Sequence, residues 1–369
     1  MTPDWAEIRS HFPALRRWTF LNTASFGQLP DTAVEACARH FAHRDELACH
    51  DFVSWFDDVD RLRGLLGQLI HAPADSIAFA ANAAAALSVL LQGIDWREGD
   101  EVVTLAGEFP LLAYASHELA RAGVHARETA WERLPDVLSP RTRLVLLSTV
   151  NYTTGFAPPL EDLANELRSR GILWFLDGTQ SLGALPLDVA RLRPTMFAAD
   201  GYKWLLCPNG ATFFHVPAEV RAWLRPNVVG WRSDRGWRDV DHLHHGAPRL
   251  ADGAERYEGG MLAFPLLYAM EASVRMILEL GPEAIAERVV SLAAGVRETV
   301  RGLGAVAGEQ ASGIVAARFP AHDASALAKA LAREGILVAA RHGYVRISPH
   351  FYNNEEDIER LGGALRRVL

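Results

Sequence analysis

The chain has 369 residues, of which 49% are hydrophobic and 22% charged, and its formal net charge is −8. This length predicts two domains, and the acidic balance argues against nucleic acid or a membrane surface as a partner, because both favour basic proteins. The three cysteines, Cys37, Cys49 and Cys207, lack the spacing of metal ligands. Their odd number favours reduced thiols and a cytoplasmic location.

The hydropathy pattern predicts neither a signal peptide nor a membrane span. The N-terminus from Met1 to Arg9 lacks the apolar core of a signal peptide. The longest apolar stretch, 77–94, is interrupted by Asn82, Ser88 and Gln92. A buried strand followed by a helix is therefore the better interpretation of this stretch.

Short β-rich runs alternate with helical stretches in the first part of the chain. Strands are predicted at 77–80, 101–105, 144–148, 172–176, 197–200 and 211–216, and helices at 83–91, 111–122 and 160–169. This alternation predicts an α/β fold with a mainly parallel sheet, in which ligands bind at the carboxyl ends of the strands. Asn82, Phe109, Asn151 and Asp177 each follow a strand, so we expect them to lie near one site.

The pattern changes at 225–260, a segment rich in glycine, proline and histidine that predicts a domain boundary or a loop lining the site. Further along, helices are predicted at 262–280, 284–303 and 324–334, strands at 313–319 and 344–347, and a final helix after Asn354. This order predicts a smaller α+β domain. His242, His244 and His245 have no further ligand at suitable spacing, so no metal site is predicted.

Lys203 and Asp177 carry the strongest chemical signal. Lys203 follows an apolar strand and has the bulky neighbours Tyr202 and Trp204, which is unlike a solvated surface lysine. Asp177 ends the apolar run from Ile172 to Leu176. A buried lysine can form a Schiff base with pyridoxal phosphate, and a buried acid can keep the cofactor's pyridine nitrogen protonated. A turn aspartate followed by glycine is the alternative for Asp177.

Three further features suit the same site, each with a structural alternative. The turn Asn82–Ala84 opens a helix and can expose amides to a phosphate, or it is a plain helix start. Phe109 can stack on a flat ring, or it belongs to the core. Arg346 lies within an apolar strand and can bind a substrate carboxylate in bidentate fashion, or it forms an internal salt bridge.

Taken together, these motifs resemble the class V aminotransferase family of fold type I pyridoxal phosphate enzymes, which includes cysteine desulfurases, kynureninases and isopenicillin-N-epimerase-like proteins. The resemblance covers nearly the whole chain. Its motifs lie at 20–27, 82–84, 109–110, 152–155, 177–180, 201–205, 256–260 and 346–353. It implies a large domain at 20–250 with a mainly parallel seven-stranded sheet, and a smaller α+β domain formed by 1–19 and 251–369.

The resemblance also assigns roles by position. It implies that Lys203 forms the Schiff base, Asp177 pairs the ring nitrogen, Gln180 lies near the 3′-oxygen and Phe109 stacks on the ring. It also implies that the cofactor's phosphate is bound by Asn82, Ala83, Ala84 and Tyr202. Arg346 is implied to bind the substrate α-carboxylate, with Tyr152 and Asn22 as further substrate contacts. Gly260, after Gly259, would approach the neighbouring subunit's cofactor, which implies a homodimer with shared active sites.

The chain departs from the family pattern at several positions. Ala84 and Ala85 stand where many relatives have threonine, and Gly260 also replaces a common threonine. Asp200 stands where many relatives have a phosphate-binding serine. We expect Asp200 to point away from the phosphate or to contact a basic neighbour, because two anions repel. The segment before Arg346 is short and contains no cysteine, and Cys207 is expected to be structural, so cysteine desulfuration through a persulfide is not expected.

The sequence therefore predicts an enzyme that acts on the α-amino group of an amino acid, with transamination as the first choice. A Cβ–S or Cβ–C lyase and an amino-acid epimerase are alternatives, because all three reactions begin with removal of the α-proton. A non-catalytic module that has kept this fold is a third. Trp231, Arg232, Arg235 and Trp237 are expected either to select the substrate side chain or to serve the dimer interface.

Overall fold

The computed structural model describes residues 3–369, so the predictions that include Met1 and Thr2 lie in part outside the described residues. The α-helices are α1 Trp5–Ser10, α2 Asp31–Leu47, α3 Trp55–Ile70, α4 Ala83–Gly93, α5 Pro110–Glu118, α6 Leu134–Val137, α7 Leu160–Ser169, α8 Val189–Leu192, α9 Ala218–Arg221, α10 Phe264–Leu280, α11 Pro282–Gly302, α12 Ala324–Arg333 and α13 Glu355–Val368. The strands are β1 Thr19–Phe20, β2 Ile77–Ala80, β3 Glu101–Leu105, β4 His125–Thr129, β5 Thr142–Ser148, β6 Leu173–Asp177, β7 Met196–Asp200, β8 Thr212–His215, β9 Val306–Ala307, β10 Val315–Arg318, β11 Ile336–Leu337, β12 Ala339–Arg341 and β13 Tyr344–Ile347.

A seven-stranded sheet forms the centre of the fold, with the strand order β2-β8-β7-β6-β5-β3-β4. Strands β3 to β7 pair in parallel, and β8 runs antiparallel to both of its neighbours. The predicted mainly parallel sheet of an α/β fold is therefore confirmed. Side chains of β5 alternate between two apolar cores: Val145 and Leu147 enter one, Leu144 and Leu146 the other. This alternation explains why the strand reads as a continuous apolar run.

The elements of the large sheet region that were not predicted include β4, α2 and α3, besides the short helices α6, α8 and α9. Strand β4 lies at the sheet edge and has the polar sequence His-Ala-Arg-Glu-Thr, so it lacks the apolar pattern of the inner strands. Helix α2 buries only Ala33, Ala36 and His40, which gives no clear apolar stripe. Helices α2 and α3 both pack on α10, so their helical structure is supported by tertiary contact.

The C-terminal part builds a second, four-stranded antiparallel sheet with the order β12-β13-β10-β9. A separate apolar core connects this sheet to α11, α12 and α13. Strand β1 pairs with β11, and Asn22 bridges to Ser348, so the chain from β1 to Asn22 lies along the C-terminal part of the fold. The division into domains at 20–250 and at 1–19 with 251–369 stays a prediction.

The loop-rich segment 225–260 is held by a buried ionic cluster. Glu258 has a fully buried side chain and pairs with Arg63 at 2.8 Å and with Arg232 at 2.5 Å. Arg232 also lies over the rings of Phe56 and Trp237. The expectation that Arg232 selects the substrate or forms an interface is therefore wrong, because its charge is paired with Glu258 inside this subunit. For Trp231, Arg235 and Trp237 it stays a prediction.

No helix within residues 3–369 is long and apolar enough to cross a membrane.

Candidate active site

Lys203 lies in a tight turn after β7 and is only 6% exposed. Its Nζ lies 5.2 Å from the ring centre of Phe109 and 5.4 Å from that of Tyr202. Burial lowers the pKa of Lys203 to about 8, although Asp177 and Asp200 act in the opposite direction. Lys203 is thus much closer to losing its proton at neutral pH than an ordinary lysine.

Two glycines allow the close packing around this turn. A Cβ on Gly27 would lie 2.0 Å from the Lys203 carbonyl oxygen, and one on Gly201 would lie 2.5 Å from the Ala211 carbonyl oxygen. The Gly27 amide also donates to the Tyr202 carbonyl at 2.9 Å. The N-terminal loop therefore packs directly against the lysine turn.

Asp177 ends β6 and lines the same cavity as Lys203, together with Phe109, Tyr152, Gln180 and Asp200. Its Oδ1 accepts a hydrogen bond from the Thr179 amide at 2.8 Å. Burial raises the pKa of Asp177 above its usual range. Among residues 3–369 no basic side chain lies within 4.0 Å of this carboxyl, so a positively charged N–H donor in the cavity would suit it.

A second buried acid, Glu108, was not singled out from the sequence. Its carboxylate accepts hydrogen bonds from the Ser148 amide at 2.9 Å and from the Ser148 hydroxyl at 2.6 Å. Burial raises the pKa of Glu108, and nearby Asp177 adds to this effect. Glu108 precedes Phe109 and ties the start of α5 to the end of β5, so it fixes the position of the aromatic ring.

Phe109 and Tyr152 form an aromatic wall of the cavity. Their ring centres are 5.2 Å apart in an edge-to-face arrangement, and Phe109 keeps 38% of its surface exposed. The Phe109 ring is therefore not a core side chain, contrary to the structural alternative. The Tyr152 hydroxyl pairs with His342 Nε2 at 2.7 Å, which connects this wall to the small sheet.

The turn expected to hold the phosphate contains a carboxylate. Asn82 caps α4 by accepting from the Ala85 amide at 2.9 Å, and Asp200 Oδ1 accepts from the Ala83 amide at 2.8 Å. Asp200 also accepts from the Thr212 hydroxyl at 2.6 Å. The expectation that Asp200 points elsewhere or meets a basic side chain is wrong, because the helix N-terminus itself provides the positive partner.

Gln180 lines the cavity, but both ends of its amide already have partners. Its Nε2 donates to the Ala24 carbonyl at 3.1 Å, and its Oε1 accepts from Trp204 Nε1 at 3.0 Å. These bonds join the N-terminal loop, the end of β6 and the lysine turn. Gln180 is held in one orientation, with one remaining amide hydrogen.

Arg346 is 1% exposed, and no acidic side chain within residues 3–369 lies within 4.0 Å of it. The internal salt bridge considered from the sequence is therefore absent from this part of the chain. Its Nη1 donates to the Tyr152 carbonyl at 2.7 Å and its Nη2 to the Ser25 hydroxyl at 2.6 Å, while Nε has no partner. Burial lowers the pKa of Arg346 to about 10, so it stays charged at neutral pH. A buried, unpaired guanidinium strongly favours an anion.

The segment before Arg346 is a tight hairpin. His342 and Gly343 connect β12 to β13 as a two-residue turn, with φ of 48° and 80°. Such a turn leaves no loop that could carry a nucleophilic cysteine to the site. Cys207 is 2% exposed, and burial raises the pKa of its thiol, so it fits the expected structural role.

The sequence candidates outside the lining of the small cavity at Lys203 are Asn22, Asn82, Ala83, Ala84, Tyr202, Gly260 and Arg346. Asn22 sits in the loop that presents Ser25, and its own Oδ1 is buried without a partner. Gly260 follows Gly259 at the end of the segment anchored by Glu258. No group of three or more metal-ligating side chains was found in the part of the chain that the structure describes, which includes the three histidines at 242–245.

The residues around Lys203 fit pyridoxal phosphate at the ring end. Lys203 can bond its aldehyde carbon, Asp177 can accept the pyridinium N–H, and Phe109 offers a ring face. At the phosphate end, the Ala84 amide of the first turn of α4 stays available beside the Asp200 carboxylate. The donor set therefore fits the cofactor's ring fully, and its phosphate with fewer direct contacts than the sequence comparison implied.

Known structures with the same fold extend over the whole chain. A cystine C–S lyase, C-DES, solved with glycine covalently linked to its pyridoxal phosphate cofactor, superimposes with a TM-score of 0.90 at 24% identity, covering 99% of each chain. The cysteine desulfurase CsdA from Escherichia coli gives 0.89 at 20% identity, covering 100% of this chain and 98% of the other. These likenesses show that the chain has the fold type I architecture of pyridoxal phosphate-dependent enzymes.

Sequence similarity gives the family. The isopenicillin N epimerases of Streptomyces clavuligerus and Amycolatopsis lactamdurans are both 30% identical to the chain, covering at least 98% of each sequence. A probable cysteine desulfurase of Methanothermobacter thermautotrophicus is 24% identical over 98% of the chain and 97% of its own length. The family model described as Aminotransferase class-V matches residues 19–361 of the chain. The chain belongs to the class V aminotransferase family.

Proposed function

We propose that this enzyme removes the α-proton of an amino acid with Lys203 and transfers the amino group to a 2-oxo acid. The observation that carries the proposal is the placement of Lys203. It is buried, its pKa is lowered to about 8, and it shares its surroundings with Asp177 and the unpaired Arg346. These three groups are what proton transfer at Cα of an amino acid requires.

Each residue has a separate task in this proposal. Arg346 binds the substrate α-carboxylate through the guanidinium edge that Ser25 and Tyr152 leave free, and so places Cα near Lys203. Lys203 Nζ takes the proton from Cα and would return it to the carbon that carried the cofactor's aldehyde group. Asp177 keeps a proton on the ring nitrogen. Pyridoxal phosphate, when bound, supplies the ring that accepts the electron pair left at Cα.

The remaining assignments belong to the same proposal. Phe109 stacks on the ring, and Gln180 donates its free amide hydrogen toward the 3′-oxygen. Asn82, Ala83, Ala84 and Tyr202 surround the phosphate, although Asp200 already occupies the Ala83 amide. Tyr152 and Asn22 border the substrate. Tyr152 is the better supported of these two, because it lines the cavity.

Epimerisation or cleavage of a Cβ–S bond is a second candidate. It is supported by the similarity to isopenicillin N epimerases over nearly the whole chain and by the likeness to the lyase C-DES. Both reactions begin with the same proton removal. They differ from transamination in where the proton returns, or in whether a Cβ substituent leaves. Persulfide formation is not part of this candidate, because no thiol reaches the cavity in the described chain.

The products distinguish these outcomes. The purified enzyme, with pyridoxal phosphate added, is incubated with a panel of amino acids, with and without a 2-oxo acid. A new amino acid made from the 2-oxo acid supports transamination. Pyruvate with ammonia from a β-substituted substrate supports elimination, and inverted chirality supports epimerisation. If none of these products forms from any amino acid, the proposed function is wrong.

A labelling experiment tests the lysine without relying on turnover. The sequence contains two lysines, Lys203 and Lys329. Borohydride reduction of the holoenzyme should attach the cofactor permanently to Lys203, which peptide mass spectrometry can separate from the exposed Lys329. Lys203→Ala should abolish this label, whereas Lys329→Ala should keep it. A label on Lys329 alone, or none, would contradict the assignment.

We also propose a cytoplasmic homodimer in which Gly260 of one subunit approaches the cofactor of the other. The free thiols suit a reducing compartment. Mixing Lys203→Ala with Gly260→Trp subunits tests the shared site. If Gly260 acts across the interface, one site of the hybrid keeps both residues intact, and activity returns after subunit exchange. If Gly260 acts within its own subunit, the mixture stays inactive.

A further inference from the structure

Arg341 lies next to Arg346, and both arginines act electrostatically on Lys203. Its Nη2 is 3.5 Å from the Ser25 hydroxyl, the same hydroxyl that accepts from Arg346 Nη2 at 2.6 Å. Two guanidinium groups thus converge on one small neutral side chain. Like charges at this separation repel each other, so their joint presence calls for compensation by an anion.

The hairpin fixes this arrangement. In the β12–β13 pair, Ala339 lies opposite Arg346 and Arg341 lies opposite Tyr344. Side chains directly opposite each other share one face, and residues two apart on a strand also share it. Arg341 and Arg346 therefore project from the same face of the small sheet, and the small Ala339 side chain leaves space between them. The two-residue turn at His342 and Gly343 sets this register.

Protein acids do not neutralise this pair. Across the described residues, no carboxylate lies within 4.0 Å of Arg341 or of Arg346, whereas most other buried arginines have an acidic partner, such as Arg63 and Arg232 with Glu258. Arg341 is half-buried, and its other hydrogen bond goes to the carbonyl of its neighbour Ala340 at 2.8 Å. Its charge thus remains available to a ligand.

We propose that Arg341 binds a second acidic group on the substrate, so that the preferred substrate is an amino acid with a short anionic side chain, of the aspartate or glutamate type. The proposal rests on the proposed function, in which Arg346 binds the α-carboxylate. Because the two guanidinium groups share the Ser25 hydroxyl, the two carboxylates must lie close together. A four- or five-carbon dicarboxylic amino acid meets this requirement.

The first test is binding without turnover. Calorimetry with the holoenzyme compares succinate with butyrate, which has the same carbon chain and one carboxylate fewer. Wild-type enzyme should bind succinate more tightly by about 10- to 100-fold, the value of a hydrogen-bonded charge pair. Arg341→Gln should remove that difference. Arg318→Gln is the matched control, because Arg318 is an exposed arginine on strand β10 of the same sheet, and its guanidinium lies over the Tyr344 ring.

The second test measures kcat/KM for aspartate and glutamate against alanine. Arg341→Gln should lower the ratio of kcat/KM for the acidic substrates to kcat/KM for alanine by about 10- to 100-fold, because any effect on the base Lys203 is common to all substrates. Equal losses for alanine and aspartate would show that both arginines bind the α-carboxylate, and would overturn the proposal. So would a wild-type enzyme that reacts with amino acids but shows no preference for acidic ones. The absence of any amino-acid reaction, together with no label on Lys203, would instead overturn the proposed function.

Discussion

Replacing Lys203 with methionine should stabilise the cofactor-free protein at neutral pH. The methionine side chain has a similar shape to the lysine stem but carries no charge. In the wild type the folded state must bury an ammonium group, because Lys203 is only 6% exposed. The pKa of Lys203 falls from 10.5 to about 8 for this reason, so the charged form is disfavoured in the folded state.

The size and the pH dependence follow from this shift. At pH 7 both states are protonated and the folded state bears nearly the full penalty, about 3 kcal/mol at about 1.4 kcal/mol per pKa unit. As the pH rises through about 8, the folded protein releases the proton first and the penalty shrinks, to about 2 kcal/mol at pH 9. The penalty vanishes above the unfolded pKa of 10.5. Wild-type stability therefore rises toward that of the variant with pH.

Urea unfolding of the apoprotein at pH 7 and pH 9 measures this effect at one fixed protomer concentration. Lys203→Met should unfold at a higher urea concentration than wild type, and by a larger margin at pH 7. The exposed Lys329→Met is the control and should change stability by less than about 0.5 kcal/mol at either pH. A variant no more stable than wild type at pH 7, or an advantage that grows toward pH 9, would refute the reasoning.

Three further substitutions test other parts of the structure. Glu258→Gln leaves the buried Arg232 without a counter-charge and leaves Arg63 with Asp60 alone, and it should lower the free energy of unfolding by about 3–5 kcal/mol in urea titrations. The exposed Glu298→Gln should have little effect. Arg346→Lys loses the planar guanidinium group and should raise KM for the amino acid by about 10- to 100-fold, while the affinity for the cofactor stays unchanged. An unchanged KM would contradict the proposed binding of the α-carboxylate by Arg346. Asp200→Asn removes an anion beside the turn expected to hold the phosphate. Fluorescence titrations should then show that the affinity for pyridoxal phosphate, relative to the affinity for pyridoxal, increases by about 10-fold. A decrease in this ratio would show that the carboxylate helps to form the turn.

The central fold and the placement of Asp177 and Lys203 at one cavity could be predicted because their signals are local. Asp177 ends an apolar run, and Lys203 has bulky neighbours on both sides, so each is marked within a few positions of the sequence. The polar edge strand β4 and the weakly amphipathic α2 lack such a signal. Their structure depends on pairing with β3 and on packing against α10.

Other parts of the site depend on contacts between distant segments. Asp200 meets the Ala83 amide across 117 positions, and Arg346 meets the Ser25 hydroxyl across 321. The sequence shows an acid near an expected phosphate, which suggests repulsion. It does not show that the helix N-terminus and Thr212 already stabilise that acid. Likewise, nothing in the order of residues indicates that Arg341 and Arg346 converge on the same hydroxyl.

Lys203 lies between two acidic side chains and two arginines, and this arrangement connects the proposed substrate binding to proton transfer. Asp177 and Asp200 raise the pKa of Lys203, whereas Arg346 and Arg341 lower it. If Arg346 binds a substrate carboxylate as proposed, that carboxylate would neutralise much of the positive charge on this side of Lys203, and a second one at Arg341 would add to this effect. Lys203 would then have a higher proton affinity with the acidic substrate bound than without it. In the proposed mode of binding, the two arginines would thus also strengthen the base, because the anion that they bind would remove their repulsion of a proton on Lys203.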